Sequence, residues 1–179
     1  MYELDKFSLP PGFRGRSSLI VIIWWAVQAT LFSWSPQFCY RWRVFLLRVF
    51  GAKIGKNVLI RQSAKITYPW KLTIGDYSWI GDDVVLYTLG KIRIGHHSII
   101  SQRCYLCTGS HDYLSSSFDI IEKPIYIGDS CWLATDVFVS PGVSIENECV
   151  VGARSSVFNN LQNNAIYRGT PAVKIRDKV

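Results

Sequence analysis

The stretch "IGDYSWIGDDVVLYTLGKIRIGHHSII", residues 74–100, decides the fold. An aliphatic residue returns at 74, 80 and 86, and again at 94 and 100. Outward from here the same beat continues at 54, 60 and 66 on one side and at 106 on the other. After an interruption it resumes at 127, 133, 139, 145, 151 and 157. Residues 54, 74 and 94 are twenty apart, three sixes plus two, and 127 to 145 is eighteen. Neither the 3.6-residue helical period nor plain two-residue strand alternation gives a period of six. Very short strands joined by tight turns do, with three strands to each turn of a solenoid.

The residue after the aliphatic one is often glycine (55, 75, 81, 95, 128, 152), which predicts corners that need a permissive backbone. Four residues after it stands a small or β-branched residue, as at Val58, Ala64, Ser78, Cys104 and Val137, predicted to point inward at a narrow corner. Cys131 and Cys149 take that position too, while Cys39 lies in an apolar segment and Cys107 falls off the pattern. A change of one residue along a strand reverses the face, so Cys104 and Cys107 should point opposite ways. The sequence has no second CxxC or Cys/His pair to complete a tetrahedral zinc site. Small buried cysteines in a reducing compartment are expected instead, and no metal.

The chain has 179 residues, nearly half of them apolar, enough for one domain with a real core plus an appendage. Its net charge of +7 is uneven. Residues 1–56 carry eight Lys/Arg against Glu3 and Asp5, and residues 57–179 carry twelve against eleven. A nucleic-acid groove spreads its cations over the folded domain among stacking aromatics, so no nucleic-acid partner is expected. Here the excess flanks "SSLIVIIWWAVQATLFSWSPQFCY", residues 17–40, which holds no charge. Its strongly apolar part, Leu19–Trp34, is shorter than the ~20 residues that span a bilayer. It also starts too late and lacks the cleavage pattern of a secretory signal. Its tryptophans and flanking arginines suit peripheral contact at a membrane interface, and a helix packed within an oligomer fits as well. Pro36 should end this helix, and "RWRVFLLRVFGA" reads as a short amphipathic helix closed by Gly51. The predicted organisation is a helical segment over 1–53, the repeats over 54–163 with a loop at 112–124, and a cap over 164–179.

In this register the chain resembles the hexapeptide-repeat acyltransferases. "TGSHDY", "PIYIGDSCWLATDVFVSPGVSI", "VVGARSSV" and "IYRGTPAVKIRDK" are similar to the galactoside and maltose O-acetyltransferase branch. "LPPGFRGRSSL" with "FSWSP" and "RVFGAKIG" looks more narrowly like the acetyltransferases of colanic acid and exopolysaccharide biosynthesis. The resemblance implies an all-β fold, a left-handed parallel β-helix of hexapeptide repeats with an N-terminal helical segment, assembled as a homotrimer. It implies acetyl transfer from acetyl-CoA to a sugar hydroxyl at sites between neighbouring subunits. The expected location is cytoplasmic, peripheral at the inner face of the membrane, where the acceptor could be a lipid-linked oligosaccharide.

His111 matches the family's catalytic histidine, just before the loop that interrupts the coils. An imidazole can remove the proton of a sugar hydroxyl as it attacks a thioester. The oxyanion then needs fixed donors, and Thr135 stands where the family places a hydroxyl. By the same match Trp132 would line the pantetheine slot and Ala153 would offer backbone to its amides. Arg176, with Arg154, Lys174 and Arg168, would meet the phosphates, although Val173 stands where the family often has a further basic residue. Where the sugar acetyltransferases place an acceptor-side Asn, this chain has Gly81 beside Asp82 and Asp83. These carboxylates could bind sugar hydroxyls, orient His111, or serve only the turn. Tyr87, Asp112 and Tyr113 are further acceptor candidates, under a loop expected to act as a flap. Three readings compete: an N-acyltransferase on an amino sugar, a catalytically silent scaffold, and a zinc enzyme using His96 and His97. The last lacks a third convergent ligand, because adjacent residues of a strand diverge.

Overall fold

In the computed structural model, which describes residues 2–178, the six-residue beat winds into a three-faced parallel β-solenoid of six coils. The first face stacks Lys53–Ile54, Leu72–Ile74, Ile92–Ile94, Ile125–Ile127 and Ser144–Ile145, with Leu161 bridging Ile145 as the sixth step. The second stacks Leu59–Ile60, Trp79–Ile80, Ile99–Ile100, Trp132–Leu133, Val150–Val151 and Ala165–Arg168. The third stacks Lys65–Ile66, Val85–Tyr87, Tyr105–Cys107, Phe138–Val139 and Ser156–Val157. Register keeps like on like: Ile54, Ile74, Ile94, Ile127 and Ile145 form one column. Every aliphatic position of the repeat and every small corner position is buried, so one continuous apolar core runs the length of the prism. Cys104, Cys131 and Cys149 lie in it, whereas Cys107 is only half-buried. Burial pushes the Cys104 thiol up to about 11, which leaves it unreactive near neutral pH.

The corner glycines are explained differently from the expectation. Gly55, Gly75, Gly81, Gly95, Gly128 and Gly152 do not take the left-handed backbone. The left-handed position lies two residues further on, at Asn57, Tyr77, Asp83, His97, Arg103 and their equivalents. What glycine supplies is close approach between coils. A Cβ on Gly75 would stand 2.6 Å from the carbonyl carbon of Gly95, and one on Gly95 would stand 2.6 Å from that of Gly128.

Two helices close the N-terminal end. α1 spans Ser18–Val27 and continues through a wider turn at Gln28–Phe32, and α2 spans Tyr40–Val49. Gly51, at φ 92°, ends α2 as expected, with its N–H bonded to Arg48 and that of Ala52 to Leu47. The first coil has no coil beneath it, so its peptide groups need other partners. Arg48 donates to the Ile54 carbonyl, and buried Arg43 donates to that of Ile60 at 2.6 Å. The Trp24 indole donates to the Ile66 carbonyl at 2.8 Å, while the Gln28 side chain accepts from the Ile66 N–H. All three faces are thus capped by side chains of the segment. At the other end the sixth coil runs past 163, through Ala165–Arg168, and Val173–Asp177 folds back antiparallel on it.

Candidate active site

The third corner of the third coil opens into a hairpin, Gly109–His111 against Ile120–Glu122, with His111 opposite Ile120. Gly109 admits it, since a Cβ there would meet Leu89 at 2.6 Å and Tyr87 at 3.1 Å. His111 is half-buried. Its Nδ1 lies 2.7 Å from the Phe118 carbonyl oxygen, and the two rings stack at 4.2 Å with planes 8° apart. A carbonyl only accepts, so Nδ1 carries a hydrogen, and in the neutral ring the lone pair is then on Nε2. Phe118 has a left-handed backbone, φ 52°. The loop is braced by Ser115 and Ser117, whose hydroxyls donate to the Asp119 carboxylate at 2.8 Å each. Those bonds, Ser117 first, hold the Asp119 carboxyl below the usual range. The Asp112 carboxylate accepts from the Leu114 N–H at 2.9 Å and so shapes the turn.

The N-terminal arm closes on the same loop. The Glu3 N–H donates to Ser116, the Tyr2 hydroxyl donates to the Tyr113 carbonyl, and the Tyr2 ring sits 4.9 Å from Phe118. Phe7 stands 6.0 Å from the His111 ring. Tyr2 and Phe7 escaped the sequence reading, because contacts across more than a hundred residues leave no periodic signal. Tyr87 lies one coil below His111, at the foot of a ring column continued by Tyr105, Phe138 and Phe158.

The other predicted residues gather on the second corner and its flank. Asp82 is bonded by Arg61 at 2.8 Å and Ser63 at 3.2 Å, and the Arg61 guanidinium holds its carboxyl below the usual range. Orientation of His111 therefore comes from the Phe118 carbonyl and not from Asp82 of the same chain. Asp83 is exposed. Two coils up, Asp136 accepts from Arg103 at 2.7 and 2.9 Å, with Arg154 at 3.7 Å. The Thr135 hydroxyl, expected as an oxyanion donor, already donates to the Gln102 carbonyl at 3.1 Å. Trp132 faces outward from the second face, its indole N–H on Ser101 at 3.0 Å. Ala153, Arg154, Arg168 and Arg176 are exposed above it, and Lys174 pairs with Asp177 at 2.6 Å. An open indole, an exposed corner backbone and nearby guanidinium groups fit a ligand with an amide-bearing arm and phosphates. His111 with Tyr87 and Asp112 and this second group occupy different corners of one prism.

Histidines 96 and 97 are corner residues: His96 Nδ1 accepts from the Asp76 N–H at 3.0 Å, and His97 stacks on Tyr77 at 5.0 Å. Among the described residues no three His, Cys, Asp or Glu side chains converge as metal ligands.

No family model matches the chain. It is 66% identical over 179 residues to "Putative colanic acid biosynthesis acetyltransferase WcaF" of Escherichia coli K12, covering all of this chain and 98% of that protein. A hexapeptide-repeat acetyltransferase of Vibrio cholerae, solved with acetyl coenzyme A, superposes with a TM-score of 0.82 at 26% identity, over 92% of each chain. A galactoside acetyltransferase solved with coenzyme A shares the fold, with a TM-score of 0.85 at 21% identity over 96% of this chain and 85% of that one.

Proposed function

The chain belongs to the hexapeptide-repeat acetyltransferases, in the colanic acid biosynthesis branch, and on that premise we propose that it acetylates a sugar hydroxyl with His111 as general base. Acetyl-CoA is the donor and supplies the acetyl thioester. The observation that carries the proposal is the Nδ1–H bond of His111 to the Phe118 carbonyl, which in the neutral ring leaves the lone pair on Nε2. Nε2 accepts the proton of the acceptor hydroxyl as its oxygen attacks the thioester carbonyl. The C–S bond then breaks, and the imidazolium, held by the same Phe118 carbonyl, gives that proton to the leaving CoA thiolate. Trp132 and Ala153, with Arg154, Arg168 and Arg176, hold the donor, and Asp82, Asp83, Tyr87 and Asp112 are the acceptor-side candidates.

The separation of the His111 corner from the second corner favours a site completed by a neighbouring copy, and the family resemblance makes that assembly a homotrimer. An acceptor on a lipid carrier at the cytoplasmic face of the membrane agrees with the uncharged, tryptophan-rich residues 17–40. The test is release of free thiol from acetyl-CoA by wild type and His111→Ala, over a panel of sugars, nucleotide sugars, amino sugars and lipid-linked sugars. Acceptor-dependent release should fall by roughly 10²–10⁴ in the variant. Equal rates would remove His111 from the mechanism.

A further inference from the structure

The helical cap has two sides, and only the inner one is occupied by the prism. On the outer side Leu19, Ile22 and Trp25 of α1 are exposed, as is Phe45 of α2. Between the helices Trp34 is 82% and Phe38 79% exposed. Soluble surfaces rarely gather so many large apolar side chains without a partner. The segment itself is cationic: from Lys6 to Gly75 the chain has no acidic residue, and Arg16, Arg41, Lys53 and Lys56 are exposed, with Asp83 beside Trp25 the acidic exception from a later coil. No helix among the described residues is long and apolar enough to cross a membrane. A patch of this composition, with tryptophan among aliphatics and cations around it, has the chemistry of a surface that lies in the headgroup region. Pairing the patch with itself in a two-fold contact would bring its cations against each other, so such a contact is a poorer occupant.

We propose that the outer face of this cap docks on an anionic lipid surface. α1 and α2 lie in the interface plane, and the solenoid stands away from it because the cap covers the edges of all three faces. The proposal deepens the membrane-side placement above and rests on it, but its test reads lipid binding and not acetyl transfer. Flotation of the full chain is compared on phosphatidylcholine vesicles with and without about 30% phosphatidylglycerol, and again at about 0.5 M salt. Two variants accompany it, Trp34→Ser with Phe38→Ser, and Arg16→Glu with Arg41→Glu, each checked by thermal melting and by assembly mass. The wild type should float with the anionic vesicles, and each variant should lose on the order of tenfold in partitioning. The charge variant keeps the test open if the apolar one fails to fold. Absence of flotation, or flotation indifferent to vesicle charge and to both variants, overturns the proposal. So does a change of assembly mass in the apolar variant when the wild type does not float, which would give the face to a second copy.

Discussion

Phe118 gives His111 a carbonyl that fixes its tautomer and a ring that stacks on it, and both depend on a short loop holding its shape. That shape is held in part by a carboxylate. The hydroxyls of Ser117 and Ser115 favour the ionised Asp119, so its folded pKa lies below the unfolded one. A depressed carboxyl stabilises the folded loop above the unfolded pKa, and that contribution is lost as pH falls through the folded value. Amide protection across residues 112–119, taken relative to the intrinsic exchange rate at each pH, should therefore be flat from neutral pH to about 4.5 and fall below about 4. Asp119→Asn should flatten that step; an unchanged profile in the variant would assign the acid transition elsewhere. The sequence showed this loop as a break in the period and picked out His111. It did not show the Phe118 carbonyl, because nothing in residue types tells which peptide oxygen a flexible turn will present.

At the scale of the repeat, the six-residue beat was fully legible, since every aliphatic and small position is buried where the spacing put it. The reason for the glycines was not. A period reports which residues face inward, but the distance between successive coils appears only once they stack. Glycine at the first corner position lets the next backbone come within van der Waals reach, and the left-handed turn follows two residues later with ordinary side chains. Gly95→Ala should then cost about 2–3 kcal/mol in unfolding, more than the ~1 kcal/mol of an ordinary glycine change, because backbone must move to admit the methyl group. Glu148→Gly, at φ 58° on an exposed corner, should change stability by less than about 1 kcal/mol. Urea unfolding of the two variants decides it, and equal effects would return the glycines to a conformational role.

A solenoid has two open ends, and each must satisfy a row of peptide groups that no further coil will pair. The C-terminal end does this with a strand that folds back, whereas the N-terminal end relies on side chains reaching out of helices. Arg43 and Arg48 therefore play a part their sequence context did not reveal. Among the basic residues flanking an apolar stretch they looked like surface charges, yet Arg43 is fully buried. Burial pulls its pKa below the ordinary value, the mark of a charge held away from water. It is held by donation to the carbonyls of Ile60, Pro36 and Gln37 and to the Ser35 hydroxyl. Arg43→Met keeps much of the stem's volume but leaves those acceptors without a donor, each worth about 1–3 kcal/mol where water cannot replace it. The expected loss is about 3 kcal/mol or more in urea unfolding at fixed protein concentration, with Arg41→Met within about 0.5 kcal/mol of wild type. Because the core runs unbroken from this cap through all six coils, the loss should appear as one lower transition for the whole chain. A separate early step confined to the helices would instead mean that the cap and the prism unfold independently.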